Sequence, residues 1–283
     1  AGIFNPSSFD LSAGNDRNSP VELYLDANKI SHVVHLVAAD EKRANFSLNS
    51  IKGEDGRLPE NFAEITLPGA HSDVGGGYPD LQTEDLLLYP TLSIRGSETR
   101  WPRKTMEWDN LKKLQSEITA ESWVGQFCLP LLDGNRASLR IEQRRDEHPL
   151  PDGRVDLSLR MSRRVRGEYS RIGLRVMHVA ALERGVPFKK IPDRDDLNLP
   201  SELEEIANSM LRDVVAGDNN LGLDGEDEQF LRQRYLHHSD HYNLIDWLIA
   251  GEVMSTEIPF DNLVHPLRPT VSRKRIVHFN VGL

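Results

Sequence analysis

Cysteine is almost missing from this sequence. Cys128 is the single one in 283 residues, which excludes an intrachain disulfide and frees the fold from any need for an oxidising compartment. It sits in Val124-Gly125-Gln126-Phe127-Cys128-Leu129, an apolar setting with no basic neighbour to favour a thiolate, and a buried, inert thiol is expected. Long apolar runs are missing too: none approaches the ~20 residues that a membrane-spanning helix requires. No amino-terminal basic and apolar signal pattern occurs, and the chain opens at Ala1 rather than a methionine, so a processed or excised piece is expected. Phosphate-cradling loops of the Gly-x-Gly-x-x-Gly or P-loop type are absent, as are internal repeats.

What the sequence does have is charge. Charged residues make up 28% of the chain, with a formal net charge of -10, which repels nucleic acid and anionic surfaces unless a local basic patch overrides it. Between Arg136 and Arg175 such a stretch exists, with Arg140, Arg144, Arg145, Arg154, Arg160, Arg163, Arg164, Arg166 and Arg171. A solvated, salt-bridged face is the ordinary reading of such a block; a surface for a phosphate-bearing partner is the alternative. No nucleic-acid partner is expected.

Ala1 to Pro20 reads as an irregular connection. Ile30 to Ala39 is a short, nearly continuous β-branched apolar run, the pattern of a strand buried on both faces of a parallel sheet. A second strand, Ala63 to Leu67, stops at Pro68-Gly69 and delivers His71 just past its carboxyl end, the edge where open α/β sheets bind ligands. The segment from Tyr78 to Trp101 reads as loop. A helix is predicted over Lys104 to Ala120, then a hairpin from Ala137 to Arg145 and Val155 to Val165 around a Pro-Leu-Pro-Asp-Gly turn. Helices follow over Glu168 to Arg184, Ser201 to Ala216, and Glu226 to Ile249 with a break near Ser239, and a strand over Arg275 to Phe279.

Residues 68 to 78, Pro-Gly-Ala-His-Ser-Asp-Val-Gly-Gly-Gly-Tyr, carry the chemistry. Gly75, Gly76 and Gly77 lose backbone entropy on ordering and offer no side chain, so a fold keeps them where φ is unusual or a group must approach the backbone. Just ahead lie an imidazole that titrates near neutrality and the Asp73 carboxylate. A histidine at a strand end is well placed to take a proton from a hydroxyl nucleophile and return it to a leaving group. Two readings compete on residues alone: a tight turn with a satisfied histidine, and a metal site using His71, Asp73 and His35, whose spacing matches no specific metal pattern.

Val34 to Leu48 (Val-His-Leu-Val-Ala-Ala-Asp-Glu-Lys-Arg-Ala-Asn-Phe-Ser-Leu) and Leu67 to Tyr78 closely resemble the phospholipase effectors of type VI secretion systems, the Tle lipase class. Weaker echoes continue through Met177 to Phe188 and Tyr235 to Ser239. The resemblance implies an α/β fold: the carboxyl-terminal part of an α/β-hydrolase sheet in residues 1–100, then a mostly helical region with a β-hairpin in 101–283, expected to act as a lid, membrane-docking or partner-binding part. It implies a serine-dependent lipase with His71 as the triad base and no cofactor. It further implies delivery by a type VI apparatus into a rival bacterium's periplasm, with a phospholipid membrane as substrate, a spike protein as carrier and a cognate immunity protein. The family's Gly-x-Ser-x-Gly elbow and its Asp-Thr-Val acid stretch occur nowhere here. Triad order in that fold is Ser, acid, His, so the missing amino-terminal half of the same protein is expected to hold both, ending shortly before Ala1. A noncatalytic lipid- or protein-binding module derived from a hydrolase is the alternative.

Several residues compete for supporting roles. Asp40, at the carboxyl end of the first strand, is a rival for the acid. Asp73 suits a loop-fixing role, accepting backbone N–H groups, because a neighbour two positions along rarely reaches the outer imidazole nitrogen. Ser72 belongs to the loop but lacks an elbow. His237, His238 and His241 invite a metal reading if helical, with polar packing near the cleft as the other reading. Trp101, Trp108, Trp123 and Trp247 read as core or edge packing, with membrane docking as the alternative.

Overall fold

The computed structural model describes residues 23–43, 46–145, 154–218, 221, 223–242 and 273–281. The segment from Ala1 to Pro20, the turn at 149–153, Trp247 and the stretch 243–249 expected to be helical lie outside them.

Strand β1 (Val33–Ala38) is followed by β2 (Leu48–Asn49) and β3 (Phe62–Leu67). β1 and β3 pair in parallel, with Val33 opposite Phe62 and Ala38 opposite Leu67. Both strands match the apolar runs. Val37, Ala38, Ile65 and Leu67 are buried, each such side chain contributing on the order of 1 to 3 kcal/mol of hydrophobic stabilisation. Beyond β3 comes the single-turn helix α1 (His71–Gly75).

The segment expected to be loop contains two strands, β4 (Gln82–Leu87) and β5 (Leu92–Ile94). Two short 3-10 turns, Gly96–Arg100 and Pro102–Lys104, lead into helix α2 (Met106–Ala120), capped by Thr105 Oγ accepting the Trp108 N–H at 3.3 Å. β6 (Ser138–Arg145) and β7 (Val155–Val165) form the expected antiparallel hairpin, Arg145 opposite Val155. On its other edge β7 pairs with β4 and, further along, β5. The sheet therefore crosses the boundary expected at residue 100.

β7 is the centre of this layer. Its inward row is Val155, Leu157, Leu159, Met161, Arg163 and Val165, all buried, the period of two expected of a half-covered strand, but with one cation in an apolar register. Arg163 lies directly opposite Glu84, and that pairing explains why β4 escapes a pattern search. α2 covers the sheet with Leu111 and Ile118.

Helix α3 (Ser170–Glu183) packs on α1 and β1, α4 (Glu204–Ala216) packs on α3, and α5 (Gly225–Arg234) touches β7. α5 stops at Arg234, so Tyr235 to Tyr242 is extended chain rather than the predicted helix. Gly173 permits the α3–α1 contact: a Cβ there would lie 2.5 Å from the Val74 carbonyl oxygen. The tail returns as β8 (Val277–His278), parallel to β2. Among the described residues no helix is long and apolar enough to cross a membrane. Cys128 is half-buried rather than buried, its Sγ accepting the Gly125 N–H.

Candidate active site

The parallel register decides what meets His71. Because Ala38 stands opposite Leu67, the residues just past β1 lie beside those just past β3, and both chains arrive at one sheet edge. Asp40 N–H donates to the Gly69 carbonyl at 2.9 Å, and the Asp40 carboxylate accepts the Gly69 N–H at 2.8 Å. Asp40 thus closes the loop on itself. Its neighbour Glu41, fully buried, reaches the imidazole: Oε2 is 2.7 Å from His71 Nδ1.

Arg43 completes the arrangement. Its Nε lies 2.8 Å from Glu41 Oε1 and its Nη2 2.7 Å from Oε2, a bidentate pair. Burial pushes the Glu41 carboxyl up, but the hydrogen bonds and charges of Arg43 and His71 outweigh it and hold the carboxyl well below the usual range. Glu41 is therefore ionised, so Nδ1 carries the proton that it donates to Oε2. Nε2 is left as an acceptor, and Ser72 Oγ lies 3.1 Å from it. Phe46 stacks on the ring with centroids 4.2 Å apart, and the Arg43 guanidinium, 3.3 Å from Nδ1 through Nη2, also lies 4.5 Å from the Phe46 centroid. The imidazole has one fixed tautomer, one fixed orientation and one nitrogen turned outward.

Asp73 serves the loop. Its Oδ2 accepts the Ala70 N–H at 2.8 Å and the His237 N–H at 3.0 Å, while Oδ1 lies 2.7 Å from His237 Nδ1. Burial raises its pKa, partly offset by His237. Gly69 has a φ of 102°, and a Cβ there would meet Asp73 Cβ at 2.8 Å. Gly76 and Gly77, at φ 85° and 140°, end α1 in conformations that L side chains rarely adopt.

Residues 236–239 staple the site from outside. His237 binds Asp73 and stacks on Tyr78 at 3.6 Å; His238 N–H donates to Glu84 at 3.2 Å; Ser239 Oγ donates to the Asp40 carbonyl at 2.7 Å. Arg163 holds this segment through the Leu236 and Arg232 carbonyls, both at 2.6 Å. Burial, then the nearby Arg163 and Lys42 charges, drive the His238 pKa well down, so that ring is neutral.

The three members of the metal alternative are drawn to different partners: His35 to Glu64, His71 to Glu41, Asp73 to His237. With α5 ending at Arg234, His237 and His241 do not share a helix face. No cluster of three potential metal ligands occurs among the described residues. A groove of about 900 Å³ opens beside His71, with Val34, Leu36, Val74, Leu174 and Met177 in its walls.

Glu41, Arg43 and Phe46 were missed as functional residues by reasoning from motif spacing, whereas His237 takes the polar packing role near the cleft that the sequence offered for it. The signal for Glu41 was the pairing of two parallel strands, each ending in polar residues at the same level.

Fold and site together define a mixed α/β protein with a carboxylate-held histidine at the carboxyl edge of a parallel strand pair, beside an apolar groove. Residues 2–101 match the family described as "T6SS, Phospholipase effector Tle1-like, catalytic domain". A solved structure titled "Structure of the Tle1 effector bound to the VgrG spike from the Type 6 secretion system" superposes with a TM-score of 0.67 at 24% sequence identity, over 92% of this chain and 52% of that one. The chain thus spans about half the length of this solved relative. These findings bear out the resemblance to type VI secretion phospholipase effectors. No curated protein matches the chain.

Proposed function

We propose that this chain supplies the histidine arm of a serine-dependent phospholipase of the α/β-hydrolase type, with His71 as general base and Glu41 as the carboxylate that orients it. The observation that carries the reading is the 2.7 Å contact of buried Glu41 with Nδ1, which leaves Nε2 as the accepting nitrogen of a histidine that lines an apolar groove. In the reaction, Nε2 takes the proton of a serine hydroxyl as its oxygen attacks the acyl carbonyl. It then gives that proton to the departing lysophospholipid alcohol and activates water for deacylation.

The serine comes from polypeptide outside these residues, since the sequence holds no Gly-x-Ser-x-Gly elbow. The architecture supports this. Parallel sheets are normally paired and covered, yet among the described residues β1 has β3 on one side only, and an open edge invites a further strand. The matched effector in its spike complex is about twice as long. Delivery on a spike into a rival's periplasm, a phospholipid membrane as target and a cognate immunity protein complete the proposal.

The test is fatty-acid release from phospholipid vesicles by this chain together with the serine-bearing segment, intact or carrying His71→Ala. Loss of a base with a fixed tautomer is expected to cost at least ~10³-fold; undiminished release removes His71 from the mechanism. The missing elbow also favours a second reading, a noncatalytic lipid-binding module. Vesicle binding without any release, from the full natural polypeptide, decides for it.

A further inference from the structure

The geometry points to residues 95–106 as a docking surface for an anionic phospholipid bilayer. The two 3-10 turns project from the end of β5 and border an open groove of about 810 Å³, which Arg145 on β6 closes by donating to the Thr99 carbonyl at 3.2 Å. Trp101 is 62% exposed there and Met106 73%. By contrast, Trp123 is 2% exposed, and Trp108 packs against the core. Neither Trp101 nor Met106 serves the interior.

Charge distinguishes this surface from the rest of the molecule. Arg95, Arg100, Arg103 and Lys104 are exposed on it, against the single acid Glu98 within the turns and Glu107 and Asp109 in the first turn of α2. A chain with a net charge of -10 therefore gathers cations around the most exposed tryptophan among the described residues. Lys104 Nζ lies 5.0 Å from the Trp101 ring, and the Arg103 guanidinium 5.5 Å from Trp108.

An indole with an ammonium beside it is apolar on its body and cationic at its rim, the combination that sits at headgroup level. Exposed basic side chains add attraction to anionic lipid that salt screens. Elsewhere several arginines are paired with acids: Arg160 with Asp85, Arg166 with Glu168, Arg171 with Asp80. The broad basic stretch of the sequence is thus mostly salt-bridged, and the lipid-facing charge lies just ahead of it. Docking here would present a hydrolase to its bilayer, but the surface is defined without reference to His71.

The full chain is sedimented with vesicles of ether-linked lipids, which an ester hydrolase cannot cleave, so that binding is read apart from catalysis. Vesicles containing ether-linked phosphatidylglycerol are expected to bind at least about tenfold more tightly than pure ether-linked phosphatidylcholine, with the advantage falling as salt rises. The R100E/K104E double variant is expected to remove roughly tenfold or more, and Trp101→Ala several-fold, with circular dichroism and Tm unchanged because these side chains are exposed. Bromine-labelled lipid should quench a part of the tryptophan emission that Trp101→Phe lacks. Equal capture by both lipid compositions overturns the inference, as does undiminished binding by the double variant. Failure to bind vesicles while an acidic protein is retained by the same cations assigns the surface to a protein and overturns it too.

Discussion

Glu41→Gln isolates what the buried carboxylate does. Oε1 accepts from two donors, the Arg43 backbone N–H at 3.2 Å and Nε at 2.8 Å, and Oε2 from three, Arg43 Nη2 and His71 Nδ1, both at 2.7 Å, and the His71 backbone N–H at 3.4 Å. A glutamine has one carbonyl oxygen, so in either flip its NH₂ faces at least two N–H groups. If the oxygen stays with Arg43 Nε, the amide turns a donor on Nδ1 and favours the wrong tautomer, a defect that costs up to ~10⁴-fold in a triad. If the oxygen faces Nδ1, the tautomer survives and only the charge is lost. Unit charges ~4 Å apart at an effective dielectric of ~20 attract by about 4 kcal/mol. Arg43 is present in wild type and variant alike and does not reduce this difference, so the ~4 kcal/mol lost is roughly 10³-fold in rate.

The expected loss in kcat therefore lies between roughly 10³-fold and 10⁴-fold. Breaking the buried pair with Arg43 costs about 3 to 5 kcal/mol of stability, within the usual ~5 to 15 kcal/mol of a domain, so the variant is assayed well below its Tm. The pH dependence carries a sign. The Glu41 carboxyl is depressed on folding, so its contribution is in place above the unfolded value near 4.5 and disappears only as pH falls through the lower folded value. The part of the stability difference between wild type and variant that comes from Glu41 ionisation should then be flat above about pH 5. A folded Glu41→Gln protein within threefold of wild type would refute the assignment of Glu41.

Ser72→Ala should cost less than about threefold in fatty-acid release, since Ser72 is adjacent to the base and has no elbow; abolished release makes Ser72 Oγ, 3.1 Å from Nε2, the nucleophile. Asp73→Asn should gain stability relative to wild type as pH rises. The Asp73 carboxyl is raised by burial, so its favourable contribution is complete below the unfolded value of about 3.8 and is lost as pH climbs through the folded one; denaturant unfolding at several pH values reads the sign, and the opposite trend refutes it. Arg163→Met leaves Glu84 buried without its cation and frees the Trp123, Arg232 and Leu236 carbonyls. A loss of about 3 to 5 kcal/mol, or roughly 10 °C in Tm, is expected, and an unchanged melt counts against the hub.

What could be read from the sequence and what could not divide along a physical line. β1, β3, α2, α3 and the hairpin of β6 with β7 announce themselves because each buries one local, periodic apolar face. β4 does not, because Glu84 sits at an inward position where a strand pattern calls for an apolar residue, and its partner Arg163 lies 79 residues away. Each charge is intelligible only with the other. α5 stops short for a related reason: His237 and His238 spend their backbone N–H groups on Asp73 and Glu84 rather than on a helical ladder. The site follows the same rule. His71 is legible from its glycine-rich setting, whereas the carboxylate beside it is set by strand register. A one-residue choice between Asp40 and Glu41 turns on which side chain the β1 backbone aims toward the imidazole. Once two parallel strands are known to end at the same level, the residues that follow them are neighbours, and an acid after one strand and a histidine after the other should be tested as a pair.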